Sequence, residues 1–212
     1  MAVTSVDGDD DLDRLTAAIR ACRICRDHPT GPPLAHEPRP VFQVSATARL
    51  VIAGQAPGLR AHHAGRPFAD PSGVRLRAWL GIDESVFYDR HRVAIVPMGF
   101  CFPGHDRRRA DLPPRAECAA IWRARLLDLL PRIELVVAIG LYAHAWHLGD
   151  RRGENLTTTV ANWRAILGAP CRPRVLPLPH PSWRNNGWLG QNPWFAREVV
   201  PVLRDEVARL TA

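Results

Sequence analysis

The chain has 212 residues, 46% of them hydrophobic, enough for one ordinary domain with a good-sized core. No apolar run reaches the ~18 residues of a membrane span, and Met1 to Asp13 is acidic and polar, unlike a secretory signal, so the expectation is a cytoplasmic protein. A net charge of +7 favours an anionic partner, nucleic acid first; all 28 basic residues are arginine, so no lysine amine is present to form an imine.

Apolar residues at Leu12, Leu15, Ala18 and Ile19 predict a helix over 11–21 that delivers Cys22 at its end. Residues 27–48 hold five prolines and no periodicity, which predicts a long irregular loop. The apolar run 49–53 before Gly54 predicts a buried strand, and 55–70 a loop rich in Gly, Pro and His. A helix runs from Pro71 through Leu80, and Asp83 is placed as the N-cap of another short one. Residues 92–96 predict a second strand, followed by a loop over 97–113. Pro113 and Pro114 open a long amphipathic helix through Leu130, which Pro131 stops. A third strand over 134–139 turns at Gly140 into a helix over 141–148, and another helix covers 157–166. Residues 174–178 make a fourth strand and 193–210 a closing helix. Short apolar strands alternating with helices imply an α/β fold, a three-layer α/β/α sandwich around a four-stranded, mainly parallel sheet, in one domain over 1–212. Ligands in such sheets bind beyond the carboxyl ends of the strands, where Gln55, Gly99 and His180 fall.

Cys22-Arg-Ile-Cys25 and, far along the chain, Cys101 and Cys118 form two pairs, the first at a spacing that aims two sulfurs at one point. Such a set suits a four-thiolate site. Four unrelated thiols or two disulfides are the alternatives, and a reducing compartment favours ligation. Cys171 has no partner in the pattern and is taken as a plain packed or surface thiol.

Four segments then occur in order: Gly54-Gln-Ala-Pro-Gly58, Gly65-Arg-Pro-Phe-Ala-Asp-Pro-Ser-Gly73, the stretch from Cys101 to Glu117-Cys118, and His180-Pro-Ser182. In these the chain resembles the uracil-DNA glycosylase superfamily, nearest its iron–sulfur branches, families 4 and 5, from about Cys22 to Pro193. The resemblance implies a monofunctional DNA glycosylase that hydrolyses uracil, and other deaminated bases, from DNA. It implies a [4Fe–4S] cluster on Cys22, Cys25, Cys101 and Cys118, although zinc takes the same four thiolates. DNA is the implied partner, with no membrane and a monomeric protein.

Base excision needs the base rotated out of the stack and a donor for the charge it carries away. The resemblance places His180 as that donor and Phe68 as the stacking ring, with Gly54, Ala56 and Gly99 against the base. The first motif departs from the family, because the carboxylates that other branches carry at the places of Gln55 and Ala56 are absent. Gln55 can orient a water without being a base. Asp70 matches a family 5 aspartate if one intervening residue is deleted, and it equally suits the N-cap of the helix at Pro71. Pro97 stands where family 4 reads the uracil edge with an asparagine, which either leaves discrimination to backbone groups around 97–100 or relaxes it. Ser182 and the loop that follows it, from Trp183 through Arg184 and Asn185 to Trp188, are similar to the one that fills the hole left by the base, and Arg107 and Arg108 suit a phosphate clamp. The missing carboxylate keeps a second reading open, a uracil- or abasic-site-binding relative with weak or no catalysis. His62-His63 lie where another branch links covalently to the abasic site, but the Lys/Arg-rich insert of that branch is absent.

Overall fold

The computed structural model describes residues 6–212, so the acidic segment Met1 to Asp13 lies partly outside the described residues. The chain opens with α1 (Val6–Arg20) and the single turn α2 (Ile24–Asp27), then crosses to β1 (Leu50–Ala53), α3 (Leu59–Ala64), α4 (Pro71–Leu80) and α5 (Glu84–Phe87). It continues through β2 (Val93–Ile95), α6 (Ala116–Cys118), α7 (Ala124–Asp128), β3 (Leu135–Ile139), α8 (Gly140–Leu148), α9 (Leu156–Ala161) and α10 (Trp163–Leu167). The last elements are β4 (Arg174–Leu178), α11 (Asn186–Gln191) and α12 (Val200–Thr211).

The four strands form one parallel sheet in the order β2-β1-β3-β4. Each strand is short and apolar on both sides, as a sheet covered on both faces requires. Alternate residues divide between the two layers. Val51, Ala53, Ala94, Val96, Val136 and Ala138 are small and face α1, α7 and α8. Leu50, Ile52, Ile95, Leu135, Leu176 and Leu178 are large and face α4, α10 and α12. Burying each of these larger side chains contributes about 1.5–3 kcal/mol against leaving it exposed. The expected three-layer α/β/α sandwich is therefore the observed fold, with the sheet fully parallel. Among the described residues no helix is long and apolar enough to cross a membrane.

The proline-rich stretch before β1 is irregular, as expected, and it closes a sheet edge. Gln43 and Ile95 exchange backbone hydrogen bonds of 3.0 and 2.7 Å, and the Gln43 side chain donates to the carbonyls of Phe87 and Val93. The unpaired flank of β2 is thereby covered. At the opposite edge, β4 carries Pro177, which a strand tolerates where no further neighbour needs its N–H.

Several expected boundaries are corrected. The loop 55–70 contains α3. The long helix begins at Ala116 rather than Pro113, because Leu112 and Pro113 each precede a proline and are pushed to extended backbone. It is also interrupted by a π-helical turn over Ala119–Arg123. The helix over 157–166 is two, broken at Asn162. The segment 183–188 is a 3₁₀ turn running into α11, not an open loop. The two glycines of α11, Gly187 and Gly190, hide the helix in the sequence; Trp188, packed on Trp194 and Phe195 and donating to Thr157 Oγ1 at 2.8 Å, holds it. Arg123, on the π-helical turn, is fully buried and donates to the Val96 carbonyl, and burial pushes its pKa down to about 9.

Candidate active site and a thiol-lined cavity

The carboxyl ends of β1, β2 and β4 open into a cavity of about 670 Å³, inside the roughly 300–1,000 Å³ span of small-ligand clefts. His180 stands at its back, two residues beyond β4. The Ser182 N–H donates to His180 Nδ1 at 3.2 Å, which leaves the proton of a neutral ring on Nε2. Asn185 Nδ2 donates to the His180 carbonyl at 2.7 Å and fixes the backbone there. Burial holds the ring below its ordinary pKa, with Asp70 and Asp111 pulling it upward. At neutral pH His180 is thus an uncharged imidazole presenting an Nε2–H donor.

Phe68 lines the cavity with its ring over Gly54, where an added methyl would lie 3.3 Å from Cζ. Its φ is 52°, a left-handed conformation uncommon for an aromatic residue and often a mark of a functional constraint. Two contacts impose it. Tyr88 Oη donates to the Pro67 carbonyl at 2.9 Å. Gly73 passes so close that a Cβ there would be 1.9 Å from the Phe68 carbonyl oxygen, so no side chain is possible at that position without moving the turn.

Asp70 does what its place before Pro71 suggests: Oδ1 accepts the Gly73 N–H at 3.0 Å and caps α4. It also lines the cavity, with Oδ2 outside that cap. The Gln55 side chain lines the wall too, but its amide donates to the Leu112 carbonyl at 3.2 Å. Gly54 and Ala56 are at the wall as expected. Gly99 is not. Its N–H holds the Gln55 carbonyl and a Cβ there would lie 3.1 Å from Pro114, so it shapes the backbone behind the wall without lining the cavity. Pro97 does line it.

Ser182, Trp183, Arg184 and Asn185 form one rim. The Ser182 side chain accepts the Arg184 N–H, and its carbonyl accepts Arg75 Nη1 at 3.2 Å. Trp183 is 71% exposed, with the Arg184 guanidinium over its ring, whereas Trp188 is half-buried and packs against the core. The two neighbouring tryptophans therefore have opposite fates. Facing this rim is a hairpin closed by a His105–Asp111 bridge, with Arg107 and Arg108 exposed at its tip and outside the cavity wall. Arg184 Nη2 reaches the Arg109 carbonyl at 3.3 Å and ties the two rims together. His62 packs on His36 and Phe102, and neither it nor His63 lines the cavity. Sequence reasoning missed Asp111, which does; in an arginine-rich stretch nothing distinguishes it from a solvated charge.

A family model for the uracil DNA glycosylase superfamily matches residues 41–204. The chain belongs to that superfamily. The match takes in all of the cavity described above and leaves Cys22 and Cys25 outside it. The superfamily domain in this chain is thus continued on its N-terminal side by the segment bearing the first pair of thiols.

Those thiols meet the second pair. Cys22, Cys25, Cys101 and Cys118 line one small cavity of about 10 Å³, closed by Ile19, Pro38, Pro40, Phe100 and Trp122. All five cysteines of the chain are free; Cys171 is remote from this set, partly exposed, with Arg151 Nη1 at 3.0 Å from its sulfur. Trp122 Nε1–H points at Cys22 Sγ at 3.3 Å. The Cys118 thiol donates to Cys25 and draws its pKa down to about 7, while burial pushes Cys101 up to about 12. Beside them burial would raise Glu117, but hydrogen bonds from its own N–H, from Thr30 and from Arg115 hold it at about 2. Among the described residues no group of three or more Cys, His, Asp or Glu is drawn together as around a single metal ion. A multi-iron core stands between its thiolates and asks for a wider set than one ion at about 2.3 Å from each sulfur. The four thiols, brought from three segments of chain around one small apolar space, are the residues that would hold such a group.

Proposed function

We propose that the protein is a monofunctional DNA glycosylase that hydrolyses the N-glycosidic bond of uracil in DNA, and of other deaminated bases, acting as a monomer. The observation that carries this reading is the fixed tautomer of His180. Breaking the glycosidic bond sends its electron pair into the base, and the charge collects on O2, where a preorganised N–H donor lowers the barrier. The Nε2–H is free for that because the Ser182 amide occupies Nδ1. Phe68 supplies a face for the extruded base, a contact worth about 1–3 kcal/mol. The oxygen of Asp70 outside its cap is open to the cavity, where a carboxylate beside the sugar would stabilise oxocarbenium character and orient water. Its presence supports catalysis over a relative that only binds DNA, since that alternative drew on a first motif without a carboxylate. Pro97 at the base edge offers no side-chain amide, which supports a base range wider than uracil alone.

The reading includes an iron–sulfur cluster on Cys22, Cys25, Cys101 and Cys118. When bound it would supply a structural cross-link, with no redox part in a hydrolysis. It would tie the N-terminal segment to both ends of the stretch that carries the hairpin.

One incubation tests the activity. A uracil-containing oligonucleotide treated with the protein, then with hot alkali, should be cleaved at the uracil, and an intact strand after alkali would overturn the reading. Iron and sulfide near four each per chain should accompany brown colour. Stoichiometric zinc in anaerobically prepared protein would remove the cluster from it.

A further inference from the structure

Two carboxylates line the cavity, Asp70 and Asp111. A methyl group built on Gly58 would lie 3.7 Å from Asp111 Oδ2 and 3.8 Å from Asp70 Oδ2. The two oxygens therefore look into the same space, which exists because residue 58 has no side chain. Each carboxylate has its other oxygen engaged: Asp70 Oδ1 by the Gly73 amide, Asp111 Oδ1 by His105 Nε2 at 3.0 Å. Both also act on His180 across the cavity.

Asp111 is held there by construction. The Asp106 side chain accepts the N–H groups of Arg108 and Ala110, both at 2.8 Å, and the Leu112 N–H returns to the Gly104 carbonyl. Gln55 and Arg184 dock the hairpin on its two sides through the carbonyls of Leu112 and Arg109. A carboxylate aimed into a cavity meant for DNA repels the phosphates around it, so its placement is costly unless it acts on the reaction.

We propose that Asp111 is a catalytic residue: it and Asp70 hold the attacking water between them above Gly58, and Asp111 Oδ2 takes the water's proton. The proposal rests on the glycosylase reading. The water oxygen bonds to C1′ as the C1′–N bond breaks, and that bond's electrons leave with the base, whose O2 accepts from His180 Nε2–H. The proton removed from the water passes to Asp111, whose second oxygen is backed by the solvent-exposed imidazole of His105. Asp70, its Oδ1 held by the Gly73 amide, turns its other oxygen toward the positive sugar. Asp111 thus fills the role that the first motif, Gly54-Gln-Ala-Pro-Gly58, leaves without a carboxylate.

The test compares wild type, Asp111→Asn and Gly58→Ala in single-turnover excision from a uracil-containing duplex with enzyme in excess. Affinity is read on the same duplex bearing a 2′-fluorine on the uracil sugar, which resists cleavage by disfavouring the oxocarbenium ion. Asp111→Asn should lose about 100-fold or more in rate, the low end of general-base contributions, with affinity unchanged or tighter. Gly58→Ala should fold normally, since its methyl meets both oxygens at ordinary contact distance, yet lose rate by filling the water's space. An Asp111→Asn rate within about threefold of wild type, or a loss matched by weaker binding, overturns the proposal. So does a fully active Gly58→Ala. Wild type inert on uracil overturns the glycosylase reading with it, whereas active wild type beside an active Asp111→Asn overturns this inference alone.

Discussion

The cavity at the strand ends and the cavity among the thiols are built on opposite terms. The first is wide and open, walled by loops that carry two carboxylates. The second is water-sized, apolar and closed, its ionisable groups all sulfur. One stretch of chain joins them. It leaves the thiols at Cys101, forms the hairpin that walls the active site, and returns to the thiols at Cys118. The lesson is a division of labour: the closed region fixes both ends of a segment so that its middle can face solvent and substrate. A loop of this length without secondary structure would otherwise carry a catalytic group too loosely for catalysis.

The largest effect expected from this division lies in the open region. His180→Ala should lower single-turnover excision by roughly 100–1,000-fold, the loss usual for one oxyanion-type donor. Its melting temperature should stay near wild type, because His180 lines the cavity and the core residues of β4, Leu176 and Leu178, are untouched. A His180→Ala enzyme as fast as wild type would show that the donor lies elsewhere.

The next effect is on stability, in the closed region. Glu117 is buried against Arg115 at 2.8 Å and also accepts the Thr30 N–H, joining the N-terminal segment to the second thiol pair. Glu117→Ala strands a largely buried guanidinium and an amide, a loss of about 3 kcal/mol. For a domain of this size that is roughly 6–12 °C in melting temperature. Excision per folded molecule should fall far less than in His180→Ala. A Glu117→Ala protein with native melting behaviour but a His180-like loss of rate would break the comparison, since the closed region would then be acting on chemistry directly.

The two regions also differ in how much the sequence revealed. The four strands were legible because each is a short apolar run ending at a Gly or Pro, and the caps Asp70 and Asp83 because Asp before such turns has a local reason to be there. His180 and Phe68 stood in motifs. The convergence of four cysteines could be anticipated from their pairing, though not the apolar walls around them. What stayed hidden depends on distant partners. Asp111 faces the cavity because Gln55 and Arg184 dock its hairpin, and α11 is held by the half-buried Trp188 through Trp194, Phe195 and Thr157. Neither fact has a local signature.

The smallest effect belongs to the hairpin tip, and it tests whether wall and tip are separable. Arg107 and Arg108 are exposed and outside the cavity wall. The hairpin does not need their side chains, because its turn is held by the Asp106 carboxylate on backbone amides, which any residue at 108 supplies. Replacing both with alanine should leave Asp111 and the excision rate at saturating enzyme unchanged. What should change is affinity and its salt dependence. Each lost phosphate contact on a duplex makes the slope of log K against log salt shallower by about 0.9. The double variant should therefore bind more weakly at low salt and approach wild type as salt rises, equally for uracil-containing and undamaged DNA, because phosphate contacts carry no sequence information. A slope equal to that of wild type would place the two arginines away from DNA. A slower rate at saturation would mean that the tip and the wall move as one, and that the hairpin positions Asp111 through its basic end.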